Sequence, residues 1–261
     1  MESNRSLLKL LVFKIFILFS VPAFSQSFYV SGSIGQNYQD DTSNNGTFTS
    51  AFTTGAVTGA TPPLTIPAGS AVSWNTDYNN GDAINFAVGI PRDNYRFELE
   101  YSQTQADVDS HQGVTAAGID LSTIDAGILI SGNVGDLGVS TAVLVAAGQG
   151  ELETSTLMLN AYYDYKTNSA FTPYVGIGLG TATTDLEFSP SAVGVISDDD
   201  NTFVYQLILG ASYTFTENLG AFASYIYRDA DEASLNGTLL PARFEINNES
   251  SLLNVGLKFS F

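Results

Sequence analysis

The chain has 261 residues, with nine Lys and Arg against 27 Asp and Glu, a formal charge of −18 and no cysteine. So acidic a surface excludes nucleic acid as a partner, because gripping a phosphate backbone needs a basic face; the missing cysteine excludes disulfides and thiolate metal sites. Charged residues are 14% of the chain, against about a quarter in an ordinary soluble domain, and 13 Tyr with 17 Phe suit a strand-rich protein.

The first 25 residues read as a secretory signal. Arg5 and Lys9 precede an apolar run, Leu10-Leu11-Val12-Phe13 and Ile15-Phe16-Ile17-Leu18-Phe19, and the stretch ends at Pro22-Ala23-Phe24-Ser25 with small residues where a signal peptidase reads. Cleavage before Gln26 is expected, leaving one domain over 26–261 with six basic and 26 acidic residues. The alternative is an N-terminal anchor, which Lys14 and the shortness of the apolar run disfavour. No later window holds the roughly 18 consecutive apolar residues that a membrane helix requires.

Period-two alternation then predicts eight strands. The first is Ser27–Asn37, with Phe28, Val30 and Ile34 on one face. The second is Asp82–Pro91, with Ile84, Phe86, Val88 and Ile90 outward. A tight turn, Pro91-Arg92-Asp93-Asn94, leads to the third, Tyr95–Gln103. There Tyr95, Phe97, Leu99 and Tyr101 oppose Arg96, Glu98, Glu100 and Ser102. The fourth, Ser155–Lys166, sets Leu157, Leu159, Ala161, Tyr163 and Tyr165 against Met158, Asn160, Tyr162, Asp164 and Lys166. After the turn at 167–170, the fifth, Thr172–Thr181, alternates Val175, Ile177 and Leu179 with Tyr174, Gly176, Gly178 and Gly180, glycines that make room in a crowded small barrel. The sixth is Thr202–Phe215; beyond Thr216-Glu217-Asn218 the seventh is Leu219–Arg228, with Ala221, Ala223, Tyr225 and Tyr227 outward. The eighth is the C-terminal tail, where Leu253, Val255, Leu257, Phe259 and Phe261 share one face and Asn254, Gly256, Lys258 and Ser260 the other.

Short turns alternate with long connections over 38–81, 104–154, 183–201 and 229–250, the asymmetry of an up-and-down transmembrane barrel with both termini in the periplasm and long loops outside. An all-β, eight-stranded antiparallel barrel is therefore expected. One span leaves an alternative. Gly127-Ile128-Leu129-Ile130 and Val139–Val145, within 119–147, could add a hairpin and make ten strands; a hairpin rising above the membrane without joining the ring is the preferred reading. The Thr-, Ser- and Gly-rich stretch 40–81, which carries Phe48, Phe52 and Trp74, reads as a flexible connector.

The chain resembles the small outer-membrane barrels of the bacterial surface-antigen and opacity-type porin families. The resemblance rests on Leu157–Tyr165, Phe171–Gly180, Val72-Ser73-Trp74 ahead of Tyr78-Asn79-Asn80-Gly81, Arg96–Tyr101, and the tail ending in Phe261. It implies an outer-membrane location, contact with outer-membrane lipid and lipopolysaccharide, and passage through periplasmic chaperones to the barrel-insertion machinery. It also implies that Phe259 and Phe261 belong to the insertion signal. These are scaffold motifs, so the resemblance implies no activity and names no partner for the external loops.

The inward faces supply the candidate site. Arg96, Lys166 and Lys258 near the turn end, with Glu98, Glu100 and Asp164 beside them, predict a paired charge network inside the barrel, because unpaired charges in so narrow a space carry a large desolvation cost. An eight-stranded interior is just wide enough for side chains to fill it, so a plugged barrel or a very narrow path is expected. The acidic runs Asp198-Asp199-Asp200, Asp229 with Asp231 and Glu232, and Asp40-Asp41 lack the spacing of a calcium loop and read as solvated surface. The one histidine, His111, has no evident nucleophile or carboxylate partner and reads as a solvated loop residue. No catalytic, cofactor or metal site is expected. The function this supports is a non-enzymatic surface barrel in an antigen, adhesion or structural role. A small diffusion channel is the alternative, and a membrane-embedded lipid-modifying enzyme a remote one.

Overall fold

The computed structural model describes residues 27–60, 62–146, 148–190 and 193–261; the expected signal segment lies outside them. In chain order the strands are β1 (Tyr29–Gln39), β2 (Thr42–Phe48), β3 (Phe52–Thr53), β4 (Thr65–Ile66), β5 (Ala71–Tyr78), β6 (Gly81–Arg92), β7 (Tyr95–Ala116) and β8 (Ile119–Asp120). A short helix α1 (Thr141–Val145) follows, then β9 (Gly150–Asp164), β10 (Phe171–Phe188), β11 (Ile196–Thr214), β12 (Leu219–Asn236) and β13 (Ala242–Ser260).

Pairing runs β1–β6–β7–β9–β10–β11–β12–β13 and back to β1, antiparallel throughout, so eight strands close into a ring with no free edge. Where β1 and β6 end, β2 and β5 take over their places: β2 pairs β13 at Ala242–Glu245, β5 pairs β7 at Val108–Ala116, and the two pair with each other. The wall thus continues as a second storey of eight strands, in which β11 and β12 are no longer joined by a continuous backbone ladder above Val204–Ala230. The 22 residues of β7 span about 70 Å of strand, whereas a bilayer crossing needs about 9–11 residues. Roughly half of each long strand therefore stands clear of the membrane.

The two storeys have opposite polarity. In the lower one, Ile84, Phe86, Val88, Leu99, Leu159, Ile177, Leu209 and Val255 are exposed on the outside, while Arg96, Glu98, Glu100, Asn160 and Gln206 are buried inside. In the upper one, Leu152, Leu186, Phe188, Ile196, Leu235, Phe244 and Ile246 are buried inside, packed around Trp74, Phe48 and Val72. Its outside carries Glu153, Asp185 and Asp199 in register on adjacent strands, with Glu151 and Glu187 one rung higher. The lower storey is a membrane protein and the upper one is built like a water-soluble barrel. Along β10 the change falls between Leu179, which faces out, and Ala182, which faces in. Aromatics edge the lipid-facing band. At the turn end Tyr95 packs on Tyr163 and Phe28 on Phe261 (ring centroids 5.3 and 4.6 Å). At the upper edge the Tyr205, Tyr225 and Tyr227 hydroxyls bond Asp229, Ser251 and Glu249.

Four expectations need correcting. The spans 38–81, 104–154, 183–201 and 229–250 are largely strand, and what connects the strands at the far end is 49–70 with its own small β3–β4 pair, 117–149, 189–195 and 237–241. The 40–81 stretch is not a flexible connector: Phe48, Phe52 and Trp74 belong to the apolar core of the upper storey. Within 119–147 the described residues, 119–146, form neither extra barrel strands nor a free hairpin; they fold into β8, a 3-10 turn at Ala126–Leu129 and α1, and bury Ala126, Ile128, Leu129 and Val145 under the barrel mouth. The reason is that an apolar barrel interior above the membrane must be roofed, and this loop supplies the roof. His111 is no loop residue; it lies within β7 and is 4% exposed.

Candidate functional site

The lumen of the lower storey is crossed by three layers of polar side chains. Nearest the turns, Arg96 on β7 donates from Nε to Asp164 on β9 (2.9 Å) and from Nη1 to Glu98 (3.3 Å) and to the Tyr29 hydroxyl on β1 (3.3 Å). The Tyr29 hydroxyl in turn donates to Glu98. The guanidinium also lies over the rings of Tyr162 and Tyr174, 4.4 and 4.7 Å from their centroids.

The next layer centres on Arg228 of β12. It donates to Gln206 (Nε, 3.1 Å; Nη2, 2.9 Å), to the Ser102 hydroxyl (3.1 Å) and to Glu100 (3.4 Å). Glu100 accepts further bonds from Asn160 (3.0 Å) and Gln206 (3.4 Å). Since β12 and β7 face each other across the ring of eight, this contact spans the full lumen. Above it, Asn248 of β13 donates to Thr154 of β9 and Thr184 of β10, both at 2.8 Å, a second bridge between opposed walls. The cavity left beside the first layer, lined by Arg96, Glu98, Glu100 and Lys258, is about 30 Å³, room for about two waters.

The inward glycines of β10 make this filling possible. A Cβ on Gly178 would overlap Asn160 Oδ1 and come within 2.8 Å of Gln206 Cγ; one on Gly176 would stand 2.5 Å from the Tyr162 ring.

Of the six residues expected in a charge network, Arg96, Glu98 and Asp164 meet in one layer and Glu100 sits in the next. Lys258 lines the lumen with its ammonium 5.4 Å from the centre of the Tyr29 ring. Lys166 lies beyond the end of β9 and is exposed, because the strand stops at Asp164 and the turn carries the next residues out. The cation that pairs with Glu100 is Arg228, which sequence reasoning missed. Its signal was present: Arg228 shares parity with the inward Ser224 and Ile226 and opposes the outward Tyr225 and Tyr227.

The acidic runs are not simply solvated. Asp200 accepts from the Ser234 amide and Asp198 from the Asn236 amide and side chain (2.8–2.9 Å), joining β11 to β12 where their backbone pairing has stopped at Val204–Ala230. Asp231 and Glu232 sit at the bulge of β12 against β13, and Asp41 accepts from the Tyr78 amide (3.1 Å) at the joint between storeys. Among the described residues no group of three or more His, Asp or Glu side chains is arranged to hold a metal ion.

His111 faces inward because of an irregularity in the β5–β7 pairing, an extra residue on β7 between Val108 and Ser110; a second at Gly113, whose φ is +70°, returns the strand to its earlier parity. Its Nδ1 is 2.7 Å from the Thr76 hydroxyl, its ring packs 3.7 Å from Phe188, and Nε2 has no hydrogen-bond partner among the described residues. Burial pushes its pKa down to about 4, with Asp77 opposing the shift weakly.

A lipid-facing belt around a closed ring of eight strands has one solvent that it suits. The sequence profile of the outer membrane protein beta-barrel domain matches residues 11–259. The chain belongs to that family. It is an outer-membrane β-barrel protein. The outer membrane protein PagN of Salmonella typhimurium is 33% identical to this barrel over 93 residues, 34% of this chain and 39% of PagN, so the match spans well under half of that relative. Among solved structures, OprG of Pseudomonas aeruginosa superposes with a TM-score of 0.52 at 18% identity, over 90% of this chain and 96% of OprG. Neisserial surface protein A superposes at 0.48 and 14%, over 90% and 99%. The likeness to OprG concerns the fold.

Proposed function

We propose that this outer-membrane barrel is a non-enzymatic, non-conducting display scaffold, which holds a rigid acidic head outside the cell in an antigen, adhesion or envelope-integrity role. The observation that carries this reading is the reversal of polarity along the strands. A barrel needing only to cross the bilayer would end near Tyr101, Ala182 and Ser250; here every strand is continued upward, by itself or by a successor, into a head with its own apolar core. The three lumen layers, two of which bridge opposed walls, support a closed interior. A buried His111 engaged by Thr76 and packed at a tilt against the Phe188 ring supports a structural role for that residue over a catalytic one. In this reading the apolar belt contacts lipid and lipopolysaccharide, and Phe259 and Phe261 are read by the insertion machinery, with chaperones holding the chain beforehand.

Refolded protein in a planar bilayer, with a heat-modifiable gel shift to verify folding, is expected to be electrically silent. Stable unitary conductance steps would overturn the closed reading and favour a small diffusion channel. Orientation is tested separately. The chain has no cysteine, so Val134→Cys in the far-end roof, where Val134 is 90% exposed, gives a single thiol. It should react with an impermeant maleimide on intact cells, whereas Asn168→Cys in a turn should not; the reverse pattern would sink the display reading.

A further inference from the structure

The head encloses a cavity that its own side chains do not fill. It measures about 210 Å³ and is walled by Phe48, Phe52, Val72, Val114, Leu121 and Leu240 under the roof formed by 52–60, 62–66 and 117–129. Among the described residues its lining is almost entirely apolar; Thr54 is the one of them with a polar side-chain atom on those walls, and its hydroxyl accepts from the Leu64 amide at 3.0 Å. Native interiors hold few voids larger than a water molecule, and an apolar cavity of about 150 Å³ stays dry and binds benzene. This one is larger. It is no place for water, which needs two to four polar partners. It also has a rim of the same character: Leu64 and Ile119, both lining it, are 47% and 49% exposed at the far end of the barrel, so apolar surface leads from the outside inward.

We propose that the head is a binding site for a small uncharged apolar molecule, of the size of a single aromatic ring with a short alkyl substituent, entering past Leu64 and Ile119. Charge is excluded from the ligand because nothing on the walls compensates it. The site is separate from the polar lumen below and does not depend on whether that lumen conducts.

Trp74, the only tryptophan in the chain, reports on it. Trp74 lies two residues from the wall residue Val72 and lines the adjoining pocket that shares Val72, Val114, Leu129 and Leu240 with the cavity. The test titrates the refolded full barrel with iodobenzene and follows quenching of Trp74 fluorescence. The expected result is a saturable component above the linear one that detergent partitioning gives. Ala116→Phe, whose ring would occupy the cavity, should remove the saturable component and leave the linear one, while Val175→Ala on the lipid face should leave both. Should Ala116→Phe fail to fold, Leu121→Ala provides the second arm: it enlarges the cavity and should shift preference towards iodonaphthalene by several-fold. Linear quenching alone in the unmodified barrel, or saturable quenching indifferent to all three substitutions, overturns the proposal.

Discussion

Arg228 allows the lumen network to be tested as an energy rather than a picture. Replacing it with Ala removes four hydrogen bonds, two to Gln206 and one each to Ser102 and Glu100, and leaves the Glu100 carboxylate wholly inside the barrel with only Asn160 and Gln206 as donors. Breaking one partner out of a buried pair costs about 3–5 kcal/mol, mostly because the surviving charge stays uncompensated. Glu100→Gln alone should cost a similar amount for the mirror reason. The cycle itself uses Arg228→Met, which breaks the same bonds as Arg228→Ala and should cost about as much; the double variant Arg228→Met/Glu100→Gln removes both charges and keeps most of the volume, so it should lie within about 1–2 kcal/mol of the parent, giving a coupling of several kcal/mol. Denaturant unfolding in lipid vesicles, followed by the gel shift and by Trp74 fluorescence, measures all four corners. Costs that add, with no coupling, would refute the idea that these two groups hold the middle layer together across the lumen. So would an Arg228→Ala cost below about 1 kcal/mol.

Three further outcomes follow from the geometry. Gly178→Leu should abolish or severely slow refolding, and Gly178→Ala should lower stability by about 1–3 kcal/mol as an overpacking substitution, because Asn160 already occupies the space; unfolding midpoints decide it. His111 is held neutral with a pKa near 4, below its ordinary value, so the unfolded head binds a proton that the folded one refuses between about pH 6.5 and 4. Head stability should therefore fall as pH drops through that window, by up to about 3 kcal/mol, and level off below it; amide exchange along β7 at pH 7 and pH 4.5 measures this, and His111→Phe should flatten the slope. Asp125 accepts from the amides of Gly127, Leu137 and Gly138 at 2.8 Å each, bonds that hold its carboxyl below the usual range. Asp125→Ala should make the 117–149 roof a preferred protease site while the heat-modifiable barrel remains.

Sequence periodicity revealed the lower storey well and the upper one hardly at all, for a physical reason. In β7 the apolar residues facing lipid are Tyr95, Phe97, Leu99 and Tyr101, all odd; past Thr104 the apolar residues are Ala106 and Val108, which are even and face in. The strand continues without a break, but the solvent on its two sides has exchanged, so the apolar set slips by one residue. A reader following one parity sees the signal vanish and infers a loop. The same slip occurs on β10 between Leu179 and Ala182, and on β13 between Leu253 and Leu252. His111 was hidden by a different cause: an extra residue in β7 between Val108 and Ser110 turns its facing, a second at Gly113 turns the strand back beyond it, and Gly113 was the one local hint of them. Arg228 was legible by parity and was overlooked because it stood at the expected end of its strand.

The inversion also explains why the head is a barrel and not a set of loops. A ring of eight strands leaving the bilayer has two options at the surface. It can break into loops, which leaves the lumen open to water at that level, or it can continue, which demands that the interior stop being polar, since above the membrane the outside face must become the hydrated one. This chain continues, and each consequence is visible. On β9, β10 and β13, Asn248, Thr154 and Thr184 form the last polar layer; Leu152, Leu186 and Ile246, each two residues further along its strand, begin the apolar one; and the outer face turns acidic at the same height, with Glu153, Asp185 and Asp199 side by side. Like charges directly opposite one another weaken a sheet, so this surface is not optimised for stability. A head built at that cost, on a barrel that already spans the membrane without it, makes most sense where the surface it presents, or the cavity it encloses, is what the protein is for.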